Sequence, residues 1–375
     1  MTPDPSLYAP FMAEAIALAE KGRWHTAPNP TVGCVLIREG KIVATGYHER
    51  FGGPHAERQC LAKAKSLGIP TQGATLVVSL EPCNHFGKTP PCTEAIVAHG
   101  IKKVVYGLSD PNPQAQGGAK FLTEHGVEVV GPILEDACRH IVRDFLTWQL
   151  KKRPFFLLKL AATMDGHIAT RNGASQWISN AQSRECVQTL RANVSLQKGA
   201  LLVGGETFRA DNPRLSVRNS TRQPLACVVT SHLPNANAPM HLLQESIERT
   251  IFFVPEDVAH SDQARALEDL GVRVMGITGS PKNMDLNHLA TTLFNLGCFY
   301  VLCEGGATLA TSLLKAGLVD LLHLHLAPLF FADSLAKPLL TGCEPLDVDQ
   351  GFSFETIETS LCAGDVHITL RPKQR

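Results

Sequence analysis

The sequence predicts an α/β protein built as two domains, and three features carry that expectation. Apolar strand-like runs alternate with amphipathic helical runs in both halves of the 375-residue chain. A helical stretch over 131–153 closes on Lys151-Lys152-Arg153-Pro154 and separates a domain spanning 1–150 from one spanning 151–375. Toward the end the helices drop out. Leu321 to Leu326, Phe352 to Ile357 and Asp365 to Leu370 read as successive strands, the antiparallel edge of a mixed sheet.

In the first domain, Tyr8 to Gly22 places Phe11, Ala15, Leu18 and Ala19 at helical spacing, and Gly22 stops the helix. Val32 to Ile37 and Ile42 to Tyr47 form a hairpin through Glu39-Gly40. Gly52-Gly53-Pro54 starts a helix running from His55 to Leu67, and the apolar run Thr75 to Leu80 is a buried strand. Pro90-Pro91 starts another helix at Cys92. The strand Lys103 to Gly107, the loop Asp110-Pro111-Asn112-Pro113, a helix through Phe121 and the strand Val127 to Val130 complete a three-layer α/β/α domain. Over 131–153, Ile133, Ala137, Ile141, Phe145 and Leu146 are the apolar positions of a helical connector, and the basic run behind them reads as a solvated helix end. The second domain then offers strands near Phe155 to Thr163, Ala200 to Val203, Leu225 to Thr230, Thr250 to Val254, Val272 to Met275 and Phe299 to Cys303.

Lys plus Arg equals Asp plus Glu at 35 each, so no net field draws the chain to nucleic acid or to an anionic membrane. A small-molecule substrate fits that balance. The 11 cysteines are odd in number and dispersed, which argues against a disulfide framework. With no basic segment leading into an apolar run at the N-terminus, the expected setting is a reducing cytoplasm. No apolar run approaches the roughly 18 residues of a membrane helix.

The chemistry concentrates in Pro54-His55-Ala56-Glu57 and in the stretch from Glu81-Pro82-Cys83 to Pro90-Pro91-Cys92. A zinc ion that activates water needs three nitrogen or sulfur ligands and an open fourth position. His55, Cys83 and Cys92 supply that set. Two thiolates cancel the charge of the ion, which still acidifies bound water toward a pKa of about 7. Residues two apart in mid-helix diverge by about 200°, so His55 and Glu57 can serve one centre only from a helix start. Glu57 is then free to carry protons. The dipole and free N–H groups of a helix start also favour the Cys92 thiolate. Taken singly, His-x-Glu is an ordinary helix cap and the cysteines are ordinary buried thiols. Their conjunction carries the zinc reading.

This conjunction resembles the zinc nucleobase deaminases. Eight residues separate the cysteines, Asn84 to Pro91, where nucleic-acid deaminases have two. With Glu81-Pro82-Cys83 before it and Thr93-Glu94-Ala95-Ile96 after it, the stretch is similar to the bifunctional deaminase/reductase family of riboflavin biosynthesis. The resemblance implies a cytidine-deaminase-like first domain in which Glu57 is catalytic and His55, Cys83 and Cys92 hold Zn2+. It also implies that Asn29, His48, Lys88, Asp110 and Asn112 bind a pyrimidine ribosyl phosphate.

Five segments of the second half extend the likeness: Leu158 to Gly166, Ser175-Gln176-Trp177-Ile178, Val203-Gly204-Gly205-Glu206-Thr207, Ala210 to Leu215, and Glu304-Gly305-Gly306-Ala307-Thr308-Leu309. The last follows an apolar strand and opens a helix, where backbone N–H groups suit a phosphate. No Gly-x-Gly-x-x-Gly accompanies it. In this order the segments resemble the reductase domain of riboflavin biosynthesis, a dihydrofolate-reductase-like α/β fold using NADPH. The resemblance implies NADPH contacts from Ala161, Trp177, Thr207, Asp211, Ser231, Gly306, Ala307, Thr308 and Leu309. It implies substrate contacts from Lys159, Ser175, Arg191, Leu215, Arg218 and Glu304, and a homo-oligomer, dimer or tetramer. Asn212 and Leu329 depart from the family pattern, which has Asp and Lys there. Two rival classes are a nucleic-acid deaminase, disfavoured by neutral charge and few aromatics, and a zinc-stabilised module that senses nucleotide without turnover.

Overall fold

Two compact units divide the chain, Met1–Lys152 and Arg153–Arg375. The computed structural model describes residues 5–87, 90–112, 117–281, 283–344 and 347–373.

The first unit runs α1 (Ala9–Glu20), β1 (Gly33–Arg38), β2 (Lys41–Tyr47), α2 (Ala56–Ser66), β3 (Thr75–Val78), α3 (Cys92–Ala98), β4 (Lys103–Tyr106), α4 (Gly118–Glu124), β5 (Glu128–Val130), α5 (Glu135–Ile141) and α6 (Arg143–Leu146). The sheet order is β2-β1-β3-β4-β5. β1 is antiparallel to both neighbours, while β3, β4 and β5 are parallel. Cys34, Val35 and Leu36 are all fully buried. Successive strand residues face opposite ways, so both faces of β1 are covered, as in a three-layer arrangement.

Gly46 brings β2 against α2. A Cβ on Gly46 would strike the Cys60 amide and the Ala56 carbonyl. The backbone of β2 can therefore lie against the first turns of the helix that begins just after His55. Gly118 does the same for α4, whose start abuts the Pro82 carbonyl.

The segment over 131–153 is two short helices followed by a π-helical turn, Thr147–Lys151, rather than one continuous helix. Its basic run is also not one solvated face. Lys151 and Lys152 are exposed, whereas Arg153 is buried and forks onto Asp320 at 2.7 and 2.9 Å. A guanidinium matches a carboxylate in two parallel bonds, which is what allows this charge to be buried.

The second unit contains β6 (Phe155–Thr163), β7 (His167–Ala169), α7 (Ala181–Ser195), β8 (Ala200–Gly204), β9 (Leu225–Val229), β10 (Thr250–Pro255), β11 (Arg273–Ile277), β12 (Gly279–Ser280), β13 (Asn283–Met284), β14 (Tyr300–Cys303), β15 (Val319–Ala327), β16 (Lys337–Pro338), β17 (Phe354–Cys362) and β18 (Asp365–Pro372). The main sheet is ordered β11-β10-β9-β8-β14-β6-β15-β18-β17. The first seven strands run parallel and the β17–β18 hairpin closes the edge antiparallel. Val301, Leu302 and Cys303 of β14 are fully buried, so this strand too is covered on both faces. Among the described residues, no helix is long and apolar enough to cross a membrane.

Candidate functional site

In the first unit, His55 is the N-cap of α2, with extended backbone at φ −70° and ψ 164°, and Glu57 lies in the first turn behind it. Cys92 opens α3 after Pro91. Cys83 follows β3 in a segment anchored where the Glu81 amide donates to the Leu108 carbonyl at 2.8 Å. His55 Nδ1 lies 3.5 Å from Cys83 Sγ and 3.4 Å from Cys92 Sγ, and the three donor atoms are all within 4.8 Å of one another. Tetrahedral zinc, with bonds of about 2.0–2.1 Å to nitrogen and about 2.3 Å to sulfur, separates N and S ligands by about 3.6 Å. The residues fit the ion in donor chemistry and in spacing.

The electrostatics of the trio agree with this. Burial pulls the His55 imidazole down, but the Cys83 hydrogen bond and the Glu57 carboxylate outweigh it and hold it up. The hydrogen bond from Cys92 holds the Cys83 thiol down to about 4, while the same bond together with burial pushes Cys92 up. The shared bond thus favours a thiolate at Cys83 and a thiol at Cys92, and a dication between them favours both thiolates. Glu57 is 4% exposed, and burial raises its carboxyl. A carboxyl raised in this way is suited to give and take protons.

A cavity of about 250 Å³ opens over this centre, and Asn29, His48, His55, Glu57, Cys83, Asp110 and Asn112 all contribute to its wall. His48 packs edge-on to His55, with ring centroids 5.3 Å apart. Its Nδ1 lies 3.0 Å from the Pro54 carbonyl and must donate to it. Nε2, 3.2 Å from Asn29 Nδ2, therefore accepts. Burial lowers its pKa, in keeping with this neutral tautomer. Burial also pushes the Asp110 carboxyl up to about 6, against the pull of the Asn112 amide, which donates to Oδ1 at 2.9 Å. Lys88 lies outside the described residues.

In the second unit Arg191 and Glu304, both expected to meet substrate, meet each other through Nε–Oε1 at 2.6 Å and Nη2–Oε2 at 2.8 Å. Burial pulls the Lys159 amine down, opposed by the Glu304 carboxylate. Arg218 pairs with Glu185 at 2.6 Å on the surface. Leu215 is 1% exposed, and its carbonyl accepts from Arg249 Nη1 at 2.6 Å. Ser175 is half-buried, and its carbonyl accepts from the Ile178 amide. Thr207 Oγ1 accepts from the Gly306 amide at 3.1 Å, joining two segments expected to meet the nucleotide. Gly306 is the N-cap of the helix Ala307–Lys315, where Thr308 is exposed and Leu309 buried. Trp177 is exposed beneath the Arg184 guanidinium, 4.4 Å from the ring centroid. Ala161 is half-buried on β6, Asp211 is exposed, and the Ser231 hydroxyl bonds His232 Nδ1 at 2.8 Å.

Two groups escape the sequence reading. Glu81 accepts from the Ala119 amide at 2.9 Å and the Asp110 amide at 3.3 Å, clamping the start of α4 to the Asp110 loop. Beside Lys159, the register aligns His323 with Lys159 and Thr369, and His325 with Ala161 and His367. Directly opposed residues share a sheet face, so one face of β6, β15 and β18 is polar. The alternation His323-x-His325 and Asp365-x-His367 was the available signal.

Residues 6–108 match the cytidine and deoxycytidylate deaminase zinc-binding region, and residues 154–367 match the RibD C-terminal domain. The chain is 39% identical over 360 residues to the riboflavin biosynthesis protein RibD of Actinobacillus pleuropneumoniae, covering 95% of this chain and 93% of that one. To the protein of the same name from Escherichia coli it is 37% identical over 368 residues, covering 92% and 95%. Among solved structures, Acinetobacter baumannii RibD aligns with a TM-score of 0.80 at 32% identity, covering 99% of this chain and 100% of that one. A Thermotoga maritima diaminohydroxyphosphoribosylaminopyrimidine deaminase/5-amino-6-(5-phosphoribosylamino)uracil reductase aligns with a TM-score of 0.79 at 32% identity, covering 98% and 99%.

Proposed function

The chain belongs to the RibD family of bifunctional riboflavin-biosynthesis enzymes, pairing a zinc-binding deaminase domain with a reductase domain, and on that premise we propose how its residues divide the two reactions. Residues 1–150 deaminate a diaminopyrimidinone ribosyl phosphate, and residues 151–375 reduce the ribosyl group of the product to ribityl with NADPH. The observation that carries this reading is the convergence of His55, Cys83 and Cys92, with Glu57 on the wall of the same cavity.

His55, Cys83 and Cys92 would hold the zinc, which would supply acidified water at neutral pH. Glu57 would take a proton from the attacking water and deliver it to the departing amine, so that water enters and ammonia leaves. Asn29 and Asp110 offer donors and acceptors to the ring edge. His48, with one nitrogen on Pro54 and the other on Asn29, orients Asn29 rather than exchanging protons. Lys88 serves as a point charge for the phosphate.

In the reductase, the nicotinamide supplies the hydride and the protein orients it. Lys159, Ser175, Arg191, Leu215, Arg218 and Glu304 form the substrate side. Ala161, Trp177, Thr207, Asp211, Ser231 and Gly306 to Leu309 form the NADPH side. Eleven free cysteines support a reducing, cytoplasmic setting. The reading extends to a homo-oligomer, which light scattering would reveal.

A coupled assay with the diaminopyrimidinone phosphate, scoring ammonia release and NADPH oxidation separately, tests the division. A chelator should abolish ammonia release while NADPH oxidation with pre-deaminated substrate persists. Ammonia release that survives complete zinc removal would overturn the deaminase assignment. Failure to oxidise NADPH or to make the ribityl product would overturn the reductase one.

A further inference from the structure

We propose that Cys186, Cys362 and His367 form a second zinc site, inside the second unit between α7 and the β17–β18 hairpin. Their donor atoms all lie within 4.8 Å of one another, the same imidazole-plus-two-thiols set as His55, Cys83 and Cys92. The Cys186 and Cys362 sulfurs are 3.9 Å apart. Two thiolates on tetrahedral zinc lie about 3.8 Å apart, from bonds of about 2.3 Å. All three residues are half-buried, so an ion can reach them.

The donors are also held in place by their surroundings. Ser183 Oγ donates to Asp365 Oδ2 at 2.6 Å and lies 2.8 Å from His367 Nε2, from which it accepts. His367 thus carries its proton on Nε2, and Nδ1 keeps the lone pair a metal needs. A metal-binding histidine whose other nitrogen donates into a hydroxyl–carboxylate relay has its ring orientation set in advance. The flat stack of His325 on His367, centroids 3.7 Å apart at 11°, restrains the ring further. Cys362 is held through its backbone, since Asn180 Nδ2 donates to its carbonyl at 2.7 Å. The same Asn180 caps α7 by accepting from the Ser183 amide at 2.9 Å, and its own amide donates to Asp365 at 2.9 Å. Cys186 stands one turn beyond Ser183 on α7, so it faces the same hairpin.

Two thiolates neutralise a zinc ion, and the soft sulfur donors favour it over magnesium or calcium. With three protein ligands the fourth position is left to water. The ion would brace α7, which carries Arg191, against the hairpin.

The test is metal content of the full-length, reduced protein after equilibration with zinc and desalting. Wild type should retain about two equivalents per chain. C186S/C362S and H55N/C83S should each lose one. Circular dichroism and melting of C186S/C362S establish that it is folded, and the single C362S variant serves if the double variant is not. Cobalt substitution adds a spectroscopic readout, with thiolate-to-cobalt absorption falling by about half in C186S/C362S. One equivalent in wild type, or zinc content unchanged in folded C186S/C362S, would overturn the proposal. So would a Cys186–Cys362 disulfide, mapped without reductant in protein prepared with zinc.

Discussion

Arg191 and Glu304 neutralise each other through a planar fork, at 2.6 and 2.8 Å, while Arg191 Nη1 reaches the Ser216 carbonyl at 3.1 Å. The pair therefore brings no net charge to this part of the second unit. Arg191→Lys keeps the charge and loses the fork. It should lower reductase kcat/KM by about tenfold or more, the loss of one well-placed charged hydrogen bond. Deamination should be unchanged, and steady-state kinetics of the two reactions on one preparation check this. Arg191→Ala, which strands Glu304, should also destabilise the second unit by about 3 kcal/mol in urea unfolding.

Glu57→Gln keeps the shape of the side chain and removes its proton traffic. Ammonia release should fall by about 10²–10⁴-fold, with zinc content and NADPH oxidation as in wild type. Retained deamination in a zinc-loaded variant would count against Glu57 as the proton carrier.

Gly46→Ala places a methyl group against the Cys60 amide and the Ala56 carbonyl. Both are backbone, and neither can rotate away. The expected cost is about 1–3 kcal/mol, read as a lower melting temperature of the first unit. Deaminase activity should suffer more than reductase activity, because α2 carries Glu57.

Burial pushes the His325 imidazole down from 6.5 to about 3, with Lys159 adding to the effect. A base whose folded pKa lies below its unfolded one binds more protons when unfolded. Its contribution is intact above about 6.5 and is lost as pH falls toward about 3. At pH 5 the penalty is at most about 2 kcal/mol, a pKa gap of about 1.5 at 1.36 kcal/mol per unit. His325→Gln should therefore narrow the stability difference between pH 7.5 and pH 5 relative to wild type, measured by urea unfolding at both.

The first domain is the more legible in sequence because its donors sit beside strong backbone signals. Pro54 precedes His55, and Pro90-Pro91 precede Cys92, so the helix starts and their ligands can be read together. The parallel strands of the second half are legible as apolar runs buried on both faces, such as β14, and the half-exposed β17–β18 close is legible as strands with no long helix between them. The polar face of β6, β15 and β18 is less visible, since a histidine at every second position of a strand also describes a solvated edge. Only the register across three strands brings His325, His367 and Lys159 together. Nothing in the basic run marks Arg153 for burial, since its partner Asp320 lies in a distant segment.

His55, Cys83 and Cys92 come from a helix cap, the turn after a strand and the opening of another helix, each seated by its own element. The chain joining Cys83 to Cys92 therefore does not set their separation in space. An insertion between the two cysteines is therefore expected to leave the spacing of their sulfurs from His55 unchanged.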